Sequence, residues 1–507
     1  MQDATRCLRS LTILAHRTGW DLLVQVWPVV LRVARLVASF RRDQSSLIGA
    51  RVSPEAMFQF ETELEGLLRE IGRRIVEWTV NRLEPEDRHQ MPRLLKWEGE
   101  YYRRRSKSPL RNLNCLFGPI ALKRFCYQPL ESCGRCLFPL EVQLGIVASV
   151  ATPALADCVG RMAADLTQRQ LLDQLRQRGI CWGVGTLRKL TQAMAERMSE
   201  HRHHAQVEQI LTWLQAAARS SGPCRFGLSV GRDGLMMPIK KKETYKEGAT
   251  ATISVLDRRG RRIGTVYLGQ MPEAGQGTLS RQLTALLTDV LRQWDGPLPR
   301  LTYVTDCGSH PTEYFQQVLA WMPNPRRPQE LLEWEWVVDY YHACLYITKL
   351  AEAIFGPGRQ AFTWAAKQRK VLKQKNGGIY RVLRSAGALR TIRGLVGSEE
   401  NYWSAYNFLR SRTAKMDYAA YKRLRMPIGS GVTEAACKVV FTQRFKQSGM
   451  KWTIDGGQQI LALRVIALSR IWDRVRQATL QSAIMPQVPT PQCSTHETDE
   501  IPAKSAA

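Results

Sequence analysis

The chain has 507 residues, 44% of them apolar, and its 73 Lys and Arg exceed its 45 Asp and Glu by 28. This composition excludes an intrinsically disordered chain, and such an excess of positive charge is typical of proteins that bind a polyanion. A membrane is the less favoured partner, because the apolar run over residues 22–40 is interrupted by Arg32 and Arg35. It falls short of the ~20 uninterrupted apolar residues that span a bilayer. We therefore expect no transmembrane helix and a nucleic-acid partner.

The first part of the chain is predicted to hold an unassigned extension and a helical region. Residues 1–50 form the extension, which lacks the basic start, apolar stretch and cleavage site of a secretory signal. Residues 51–110 form the helical region. Within it, residues 53–83 carry apolar side chains at helical spacing, and Ser53 is a good capping residue.

Residues 111–145 are predicted to form a small β unit that contains cysteines. Twelve cysteines are scattered along the chain, which indicates reduced thiols in a cytoplasm rather than a disulfide framework. Cys133 and Cys136 have the spacing of one zinc knuckle, but a zinc ribbon needs two such pairs. Reduced thiols are therefore favoured there over zinc.

Residues 146–220 are predicted to be a helical DNA-binding region. Two amphipathic runs within residues 165–198 are separated by a glycine-containing break, which is the pattern of a helix-turn-helix. The second helix would begin at about Thr186 and present Arg188 and Lys189 to a DNA groove. Two-helix hairpins are common in α-helical proteins, so the pattern alone does not establish DNA contact.

Residues 221–360 are predicted to form an α/β domain in which five strands and two helices follow in the order β-β-β-α-β-α-β. The strands are predicted over residues 225–234, 248–257, 261–273, 300–310 and 335–343. This order is that of a ribonuclease-H-like domain, a mixed sheet flanked by helices. The predicted fold class is therefore α/β, with the mainly helical region in front of the sheet and a helical insertion within it.

The insertion, residues 361–426, is very basic. From Lys367 to Arg425 the chain has fifteen Lys or Arg and three acidic residues, with tyrosines and tryptophans interleaved. A solvated helical bundle is the alternative, but this local charge is better explained by neutralised phosphates. The residues proposed for that role are Lys367, Arg369, Lys370 and Lys373. Residues 427–475 are predicted to hold a final helix of the core, and residues 476–507 a disordered tail.

Two aspartates are each predicted to follow a strand. Asp233 lies in the sequence VGRDG and Asp306 in VTDCG. Each is also a normal turn residue, but in a ribonuclease-H-like order the first and fourth strands are neighbours and both carboxylates would converge. Convergent carboxylates repel each other unless a cation lies between them. Two Mg²⁺ ions, or Mn²⁺, that hold the oxygens of a phosphoryl transfer meet this requirement.

A third carboxylate is expected from a helix packed on the sheet. Glu434 follows the glycine-rich GSG turn at the start of the last predicted helix, and Arg444 and Lys446 come further along it. The acid would reach the metal, and the two basic residues the DNA backbone. The alternative is that Glu434 only interacts favourably with the dipole of its helix.

Three stretches of the chain resemble the bacterial insertion-sequence transposases of the Mutator-like superfamily, in particular the ISKra group. They are GSGVTEAACKVVFTQRFKQSGMKW, VVDYYHA and VTDCGSHPTEYF, within a resemblance over about residues 53–475. The resemblance implies that Asp233, Asp306 and Glu434 form the acidic triad of a DDE transposase. It also implies that Asp339 and His342 are the superfamily's (Cys/Asp)-x-x-His motif, with a supporting role at the catalytic site. A purely structural hydrogen bond between Asp339 and His342 is the alternative.

The expected function is therefore metal-dependent cleavage of DNA at the ends of an insertion sequence, followed by strand transfer into target DNA. A homo-oligomer on double-stranded DNA, in a bacterial cytoplasm and associated with the nucleoid, is expected. A structure-specific nuclease of the same fold would cut without joining. A non-catalytic DNA-binding regulator would bind without cutting.

Overall fold

The computed structural model describes residues 20–45, 53–85, 87–105, 110–131, 134–240 and 245–488. The chain divides into two compact units. The first contains Met1–Ala156, Asp173–Thr186 and Ser482–Ala507, and the second contains Asp157–Leu172 and Leu187–Gln481. The structure is mixed α/β, 58% helical and 18% strand.

Helices and strands are numbered along the chain over the described residues. The helices are α1 (Trp20–Ser45), α2 (Pro54–Asn81), α3 (Pro139–Gln143), α4 (Pro153–Asp165), α5 (Gln168–Gln177), α6 (Val184–Arg219), α7 (Gly277–Gln293), α8 (Ser309–Gln317), α9 (Tyr340–Phe355), α10 (Arg359–Gln374), α11 (Gly378–Arg393), α12 (Glu399–Arg410), α13 (Tyr418–Arg423), α14 (Gly431–Ala436), α15 (Gln443–Phe445), α16 (Ile454–Leu468) and α17 (Trp472–Gln481). A π-helix, Cys437–Thr442, joins α14 to α15. The strands are β1 (Leu94–Trp97), β2 (Glu100–Arg104), β3 (Arg111–Cys115), β4 (Gly118–Leu122), β5 (Tyr127–Pro129), β6 (Gly227–Pro238), β7 (Tyr245–Leu256), β8 (Arg262–Gln270), β9 (Arg300–Thr305), β10 (Pro323–Asn324), β11 (Arg327–Leu331) and β12 (Trp334–Val338).

In the first unit, the helix predicted to follow Ser53 is confirmed, but the region after that helix differs from the prediction. The Ser53 hydroxyl accepts a hydrogen bond of 3.0 Å from the backbone N–H of Ala56 at the start of α2. Residues 94–104, which were predicted to be helical, form the antiparallel hairpin β1–β2. Its turn residues Glu98 and Gly99 have φ angles of 48° and 86°. Positive φ at both positions suits the twist of a two-residue hairpin, and helical periodicity gave no sign of it.

The cysteine-containing β unit is present as the β3–β4 hairpin and strand β5, which pairs with β2. Of the two cysteines at zinc-knuckle spacing, Cys133 lies outside the described residues. Burial and the neighbouring Cys136 raise the pKa of the Cys126 thiol to about 11. This thiol is therefore protonated at neutral pH.

Helix α1 contains the apolar run near the N-terminus. By length and composition, Leu22–Arg42 is long enough to cross a membrane, and 6% of its most apolar window is buried. A single helix of this kind is weak evidence, since core helices of soluble proteins and signal sequences pass the same test. The expectation that the chain has no transmembrane helix stays a prediction.

The second unit contains a five-stranded mixed sheet of order β12-β9-β6-β7-β8. Strand β7 pairs antiparallel with both β6 and β8, while β9 pairs in parallel with β6 and with β12. The predicted adjacency of the first and fourth strands is therefore confirmed. Alternate side chains of β6 point to opposite faces, where different helices cover them.

Helix α6 differs from the predicted helix-turn-helix. The second helix was predicted to end near residue 198, but α6 has 36 residues and ends at Arg219. Its later turns bury Val207, Ile210 and Leu214 in the core of the sheet unit. The longer helix is explained by this continuing apolar periodicity.

The insertion is helical as predicted, and most of its aromatic residues pack in or against the hydrophobic core. Tyr402, Tyr418 and Tyr421 are at most 3% exposed and belong to the hydrophobic core. Tyr380, in contrast, is 57% exposed. Because a buried ring is closed to a ligand, the interleaving of aromatic and basic residues here reflects the packing of α10 to α13.

The predicted tail begins too early. Helix α17 continues to Gln481, because Val475 is fully buried on it. Further on, Gln487 pairs with Lys96 of strand β1. The rest of the predicted tail, from residue 489, lies outside the described residues.

Candidate acidic active site

Asp233 lies in the middle of strand β6 and not at its end, where the sequence placed it. Pairing with β7 continues through Asp233, opposite Thr250, as far as Pro238, opposite Tyr245. The following Gly234 does not form a turn. A Cβ atom there would lie 1.6 Å from a carboxylate oxygen of Glu247, so glycine makes room for that side chain within the sheet.

Strand register brings three aspartates to one level of the sheet. The β6–β9 pairing ends with Val230 opposite Tyr303. Asp233 lies three residues further along β6, and Asp306 lies three residues beyond Tyr303, directly after the end of β9. The β9–β12 register pairs Thr305 with Val338, so that Asp339 is level with Asp306. Neighbouring strands lie ~4.8 Å apart. The 73-residue spacing between Asp233 and Asp306 is therefore the register offset of two paired strands.

The environment of Asp233 favours the neutral form of its carboxyl group. Burial, followed by the negative charges of Asp306 and Glu434, raises its pKa to about 6, although bonds from the Cys437 thiol and the Gly234 N–H oppose the rise. Because the folded-state pKa exceeds the ordinary 3.8, the folded state binds this proton more tightly than the unfolded chain. The free energy of unfolding therefore falls as pH rises from about 4 to about 6, by at most ~3 kcal/mol.

Cys437, the first residue of the π-helix, is a direct partner of Asp233. Its Sγ lies 3.3 Å from Asp233 Oδ2, and it is 6% exposed. We expect Cys437→Ala to raise the pKa of Asp233, because the variant loses a donor that stabilises the carboxylate. The midpoint of the Asp233 titration should move up by ~0.5 pH unit.

The measurement for Cys437→Ala is a carbon-13 NMR titration of the aspartate carboxyl groups in metal-free protein. Cys437→Ser is the matched control, since its hydroxyl retains a donor and should leave the titration closer to that of the parent. Equal titration curves for all three proteins would contradict the role assigned to the thiol.

Glu434 is the fourth residue of α14, exposed at its surface. Its Oε1 accepts a hydrogen bond of 2.9 Å from the hydroxyl of Ser430, in the GSG turn. Helix α14 is packed on strands β6 and β7, and a Cβ on Gly231 would lie 2.0 Å from the hydroxyl of Thr433. Close approach of the helix at Gly231 therefore holds Glu434 beside the sheet. Glu434 was predicted from the sequence to lie on the last helix of the core. This prediction is wrong, because α16 and α17 follow α14.

Asp339 and His342 both lie at the start of α9, but their side chains do different things. Asp339 is fully buried and caps the helix: its Oδ1 accepts the backbone N–H of His342 at 2.7 Å. Its Oδ2 accepts hydrogen bonds from the backbone N–H and the hydroxyl of Ser430. The His342 imidazole lies edge-on to the rings of Tyr346 and Phe408, with centroids 5.4 and 5.9 Å away. The Asp–His hydrogen bond is thus made by the histidine backbone.

Ser430 connects the buried Asp339 to the exposed Glu434. Its hydroxyl lies within hydrogen-bonding distance of both carboxylates, but it has a single proton and can donate to only one of them at a time. Asp339 and Glu434 therefore compete for the proton of the Ser430 hydroxyl.

The oxygen donors of Asp233, Asp306 and Glu434 fit Mg²⁺ or Mn²⁺ by their chemistry, because hard cations prefer carboxylate ligands. Within the described part of the chain, no group of three or more His, Cys, Asp or Glu side chains is arranged to hold a metal ion. Burial and, to a smaller extent, the charges of Asp306 and Glu434 raise the pKa of Asp233, and a bound cation would offset the repulsion among the three carboxylates.

The residues predicted to contact DNA are divided between surface and interior. Exposed side chains are those of Arg188, Lys189, Lys367, Lys370 and Lys446. Arg369 and Lys373 are partly buried: Arg369 donates to the Thr348 hydroxyl, and the Lys373 ammonium lies 4.9 Å from the ring of Tyr340.

Arg444 differs most from the prediction that it lies on the DNA-binding surface, since it is only 1% exposed. The helical run α14 to α15 turns this side chain inward, where its Nε donates to the backbone oxygen of Ala163 at 3.3 Å. It therefore lines a cavity and does not lie on an open surface.

Sequence reasoning assigned no role to two residues beside the acidic side chains and to two on the other face of the sheet. Ser430 and Cys437 bond the acidic side chains directly. On the other face, His310 lies 3.9 Å from Glu247 and 3.6 Å from Glu313. Ser430, Cys437 and His310 all lie within the stretches that resemble transposases.

Comparison with known proteins assigns the chain to no family. The chain matches no protein-family model and no curated protein sequence.

Proposed function

We propose that the protein is a DNA transposase of the DDE type, which cleaves DNA at the ends of an insertion sequence and transfers the freed strand into target DNA. The observation that carries the proposal is that strand register brings Asp233 and Asp306 to one level of a mixed sheet, while helix α14 holds Glu434 near enough for its charge to act on Asp233. The strand order β12-β9-β6-β7-β8 supports a ribonuclease-H-like fold for the domain that holds them.

The positive charge of the chain supports DNA as the substrate. The chain has a net charge of +28, and the helical insertion contributes a hollow of about 360 Å³ lined by Lys373, Lys422, Arg423 and Arg425. Such basic surfaces attract a polyanion.

The three carboxylates would hold divalent cations. Bound Mg²⁺ would activate the attacking oxygen and stabilise charge on the leaving oxygen. The chain's own residues prepare this site: Cys437 and Gly234 stabilise the ionised form of Asp233, Ser430 orients Glu434, and Asp339 anchors the GSG turn.

The proposal is tested with labelled duplexes that carry the inverted repeats expected on either side of the gene. We expect Mg²⁺-dependent nicking at the repeat end and joining of the freed 3′-hydroxyl to a target plasmid. Nicking without joining would favour the structure-specific nuclease. Binding without nicking would favour the regulator. If the protein does not bind duplex DNA, the proposal fails.

The basic insertion gives a prediction that depends on electrostatics alone. Lys367 and Lys370 are exposed on α10, and each phosphate contact adds ~0.9 to the magnitude of the slope of log affinity against log salt. Changing both to Gln should make this slope shallower by ~1.8 on duplex DNA, with little change in melting temperature. Fluorescence anisotropy across a salt series measures it. An unchanged slope would show that the two lysines form only a solvated face.

A further inference from the structure

A second site lies in the sheet unit, away from the aspartates, in a cavity of about 420 Å³. It is lined by Gln168, Arg188, Thr191, Gln192, Lys240, Arg444, Met450, Lys451, Trp452, Thr453, Gly456, Gln459 and Ile460. Four of these thirteen residues are cationic, and none is acidic. Its volume is within the range of ligand sites in proteins.

Arg444 is the most informative residue of this cavity. It is 1% exposed, and burial together with the nearby Arg464 lowers its pKa to about 10. The nearest acid, Asp165, is already bonded to Arg464 at 2.6 Å. Within the described residues Arg444 makes no ion pair, and the hydrogen bond of its Nε to Ala163 leaves its two Nη groups without a partner.

The surroundings hold this guanidinium in place. Its carbon lies 5.2 Å from the ring centre of Trp452 and 5.9 Å from that of Phe445. The Trp452 indole is itself fixed by a hydrogen bond of 3.0 Å to the Phe445 backbone oxygen. A buried cation is costly unless it is paired, so a rigid, unpaired guanidinium beside three further cations is a site built for an anion.

The N-terminus of α16 adds to the positive electrostatic potential of the cavity. Thr453 caps this 15-residue helix by accepting the backbone N–H of Gly456, and both residues line the cavity. The N-terminus of a helix favours negative charge. Asp455, in the same turn, is exposed and lies outside the lining.

Strand β6 gives the distance of the cavity from the aspartates. The backbone of Trp452 pairs with the end of this strand: its N–H donates to the Pro238 oxygen at 3.2 Å, and its oxygen accepts the Lys240 N–H at 2.8 Å. Pro238 is five residues beyond Asp233, which is ~17 Å along a strand. For a duplex whose axis runs along β6, each strand advances ~3.4 Å along that axis per phosphate, so this distance corresponds to about five nucleotides.

We infer that this cavity binds a backbone phosphate of the DNA substrate, about five nucleotides from the phosphate held at the aspartates. The inference rests on the proposed function for the identity of the anion, while the cavity's affinity for a phosphate group follows from its charge alone. Arg188, predicted from the sequence to contact DNA, then shares one phosphate with Arg444 and Lys451.

The first experiment tests the anion site without DNA. Inorganic phosphate, compared with chloride at equal ionic strength, should raise the melting temperature of the full-length protein. In the double variant Arg188→Gln/Lys451→Gln, whose two changed side chains are exposed, at least half of that rise should be lost. Arg219→Gln is the matched control: Arg219 is exposed at the far end of α6, ~46 Å from Arg188. Equal rises in all three proteins would overturn the inference.

The second experiment identifies the anion as DNA. The double variant should have a shallower salt dependence of duplex binding, by up to ~0.9 in the slope because one phosphate contact is weakened, and Arg219→Gln should not. In the cleaved duplex, replacing single phosphates by neutral methylphosphonates should weaken binding by the parent at one position about five nucleotides from the cut. The same replacement should weaken binding by the double variant at most half as much, because Arg444 and Lys240 remain in the cavity.

The two proposals fail in different ways. If the parent protein neither binds nor cleaves duplex DNA, the proposed function fails and the phosphate-dependent melting still reports on the cavity. If the parent cleaves DNA but every methylphosphonate effect adds independently to that of the double variant, the assignment of this cavity to the DNA backbone is wrong.

Discussion

Glu434→Gln is expected to abolish both cleavage and strand transfer while leaving the fold and DNA binding intact. The amide keeps the shape of the side chain and can still accept the Ser430 hydroxyl, which lies 2.9 Å from Oε1, but it removes the charge that a divalent cation needs. Both reactions use the same acidic site, so they should fall together by a factor of at least ~10³. The measurement is Mg²⁺-dependent nicking and joining at matched DNA occupancy.

The competing account of Glu434 is an interaction with the dipole of its helix, worth only ~0.3–1 kcal/mol of stability. Glu400 provides a matched control, since it lies in the first turn of α12 and is exposed. Glu400→Gln should lose a similar amount of stability and no activity. If Glu434→Gln nicks DNA at the parental rate, Glu434 does not belong to the site and the three-acid proposal loses its third member.

Much of the sheet could be predicted because strand periodicity is local. The apolar runs that end near Asp306 and Asp339 form β9 and β12, and the connections between strands determine which ones become neighbours. The 73-residue spacing could be obtained from the sequence, and the strand pairing gives it a meaning as a register offset. For Asp233 and Asp306, the order of the strands along the chain is enough to predict that the two residues lie on neighbouring strands.

Other parts depend on contacts between distant residues. The local sequence around Gly234 favours a turn, but the side chain of Glu247, from the next strand, occupies the position that a Cβ atom of residue 234 would take. Arg444 belongs to a basic helical segment, and only the packing against Ala163 decides that it is buried. A tertiary contact overrides the local preference in both cases.

Asp339→Asn is expected to lower the free energy of unfolding by ~3 kcal/mol and with it the cleavage activity. The carboxylate is fully buried and accepts hydrogen bonds from the His342 N–H and from the Ser430 N–H and hydroxyl. An asparagine has one oxygen for two groups of donors, so its amide must face an N–H that it cannot accept. The GSG turn should then loosen and Glu434 lose its orientation. Urea unfolding and the nicking assay together measure both effects.

His342→Ala distinguishes the role of the His342 imidazole from the helix cap that Asp339 forms with the His342 backbone. The variant keeps the backbone N–H that Asp339 accepts, and loses only the contacts with the rings of Tyr346 and Phe408. We expect a loss of ~1 kcal/mol in stability, well below that of Asp339→Asn, and nicking within a few-fold of the parent. A large loss of nicking with an unchanged melting temperature would instead assign the imidazole to the catalytic site, as the resemblance to transposases implies. An Asp339→Asn protein as stable as the parent would show that the buried carboxylate does not anchor the turn.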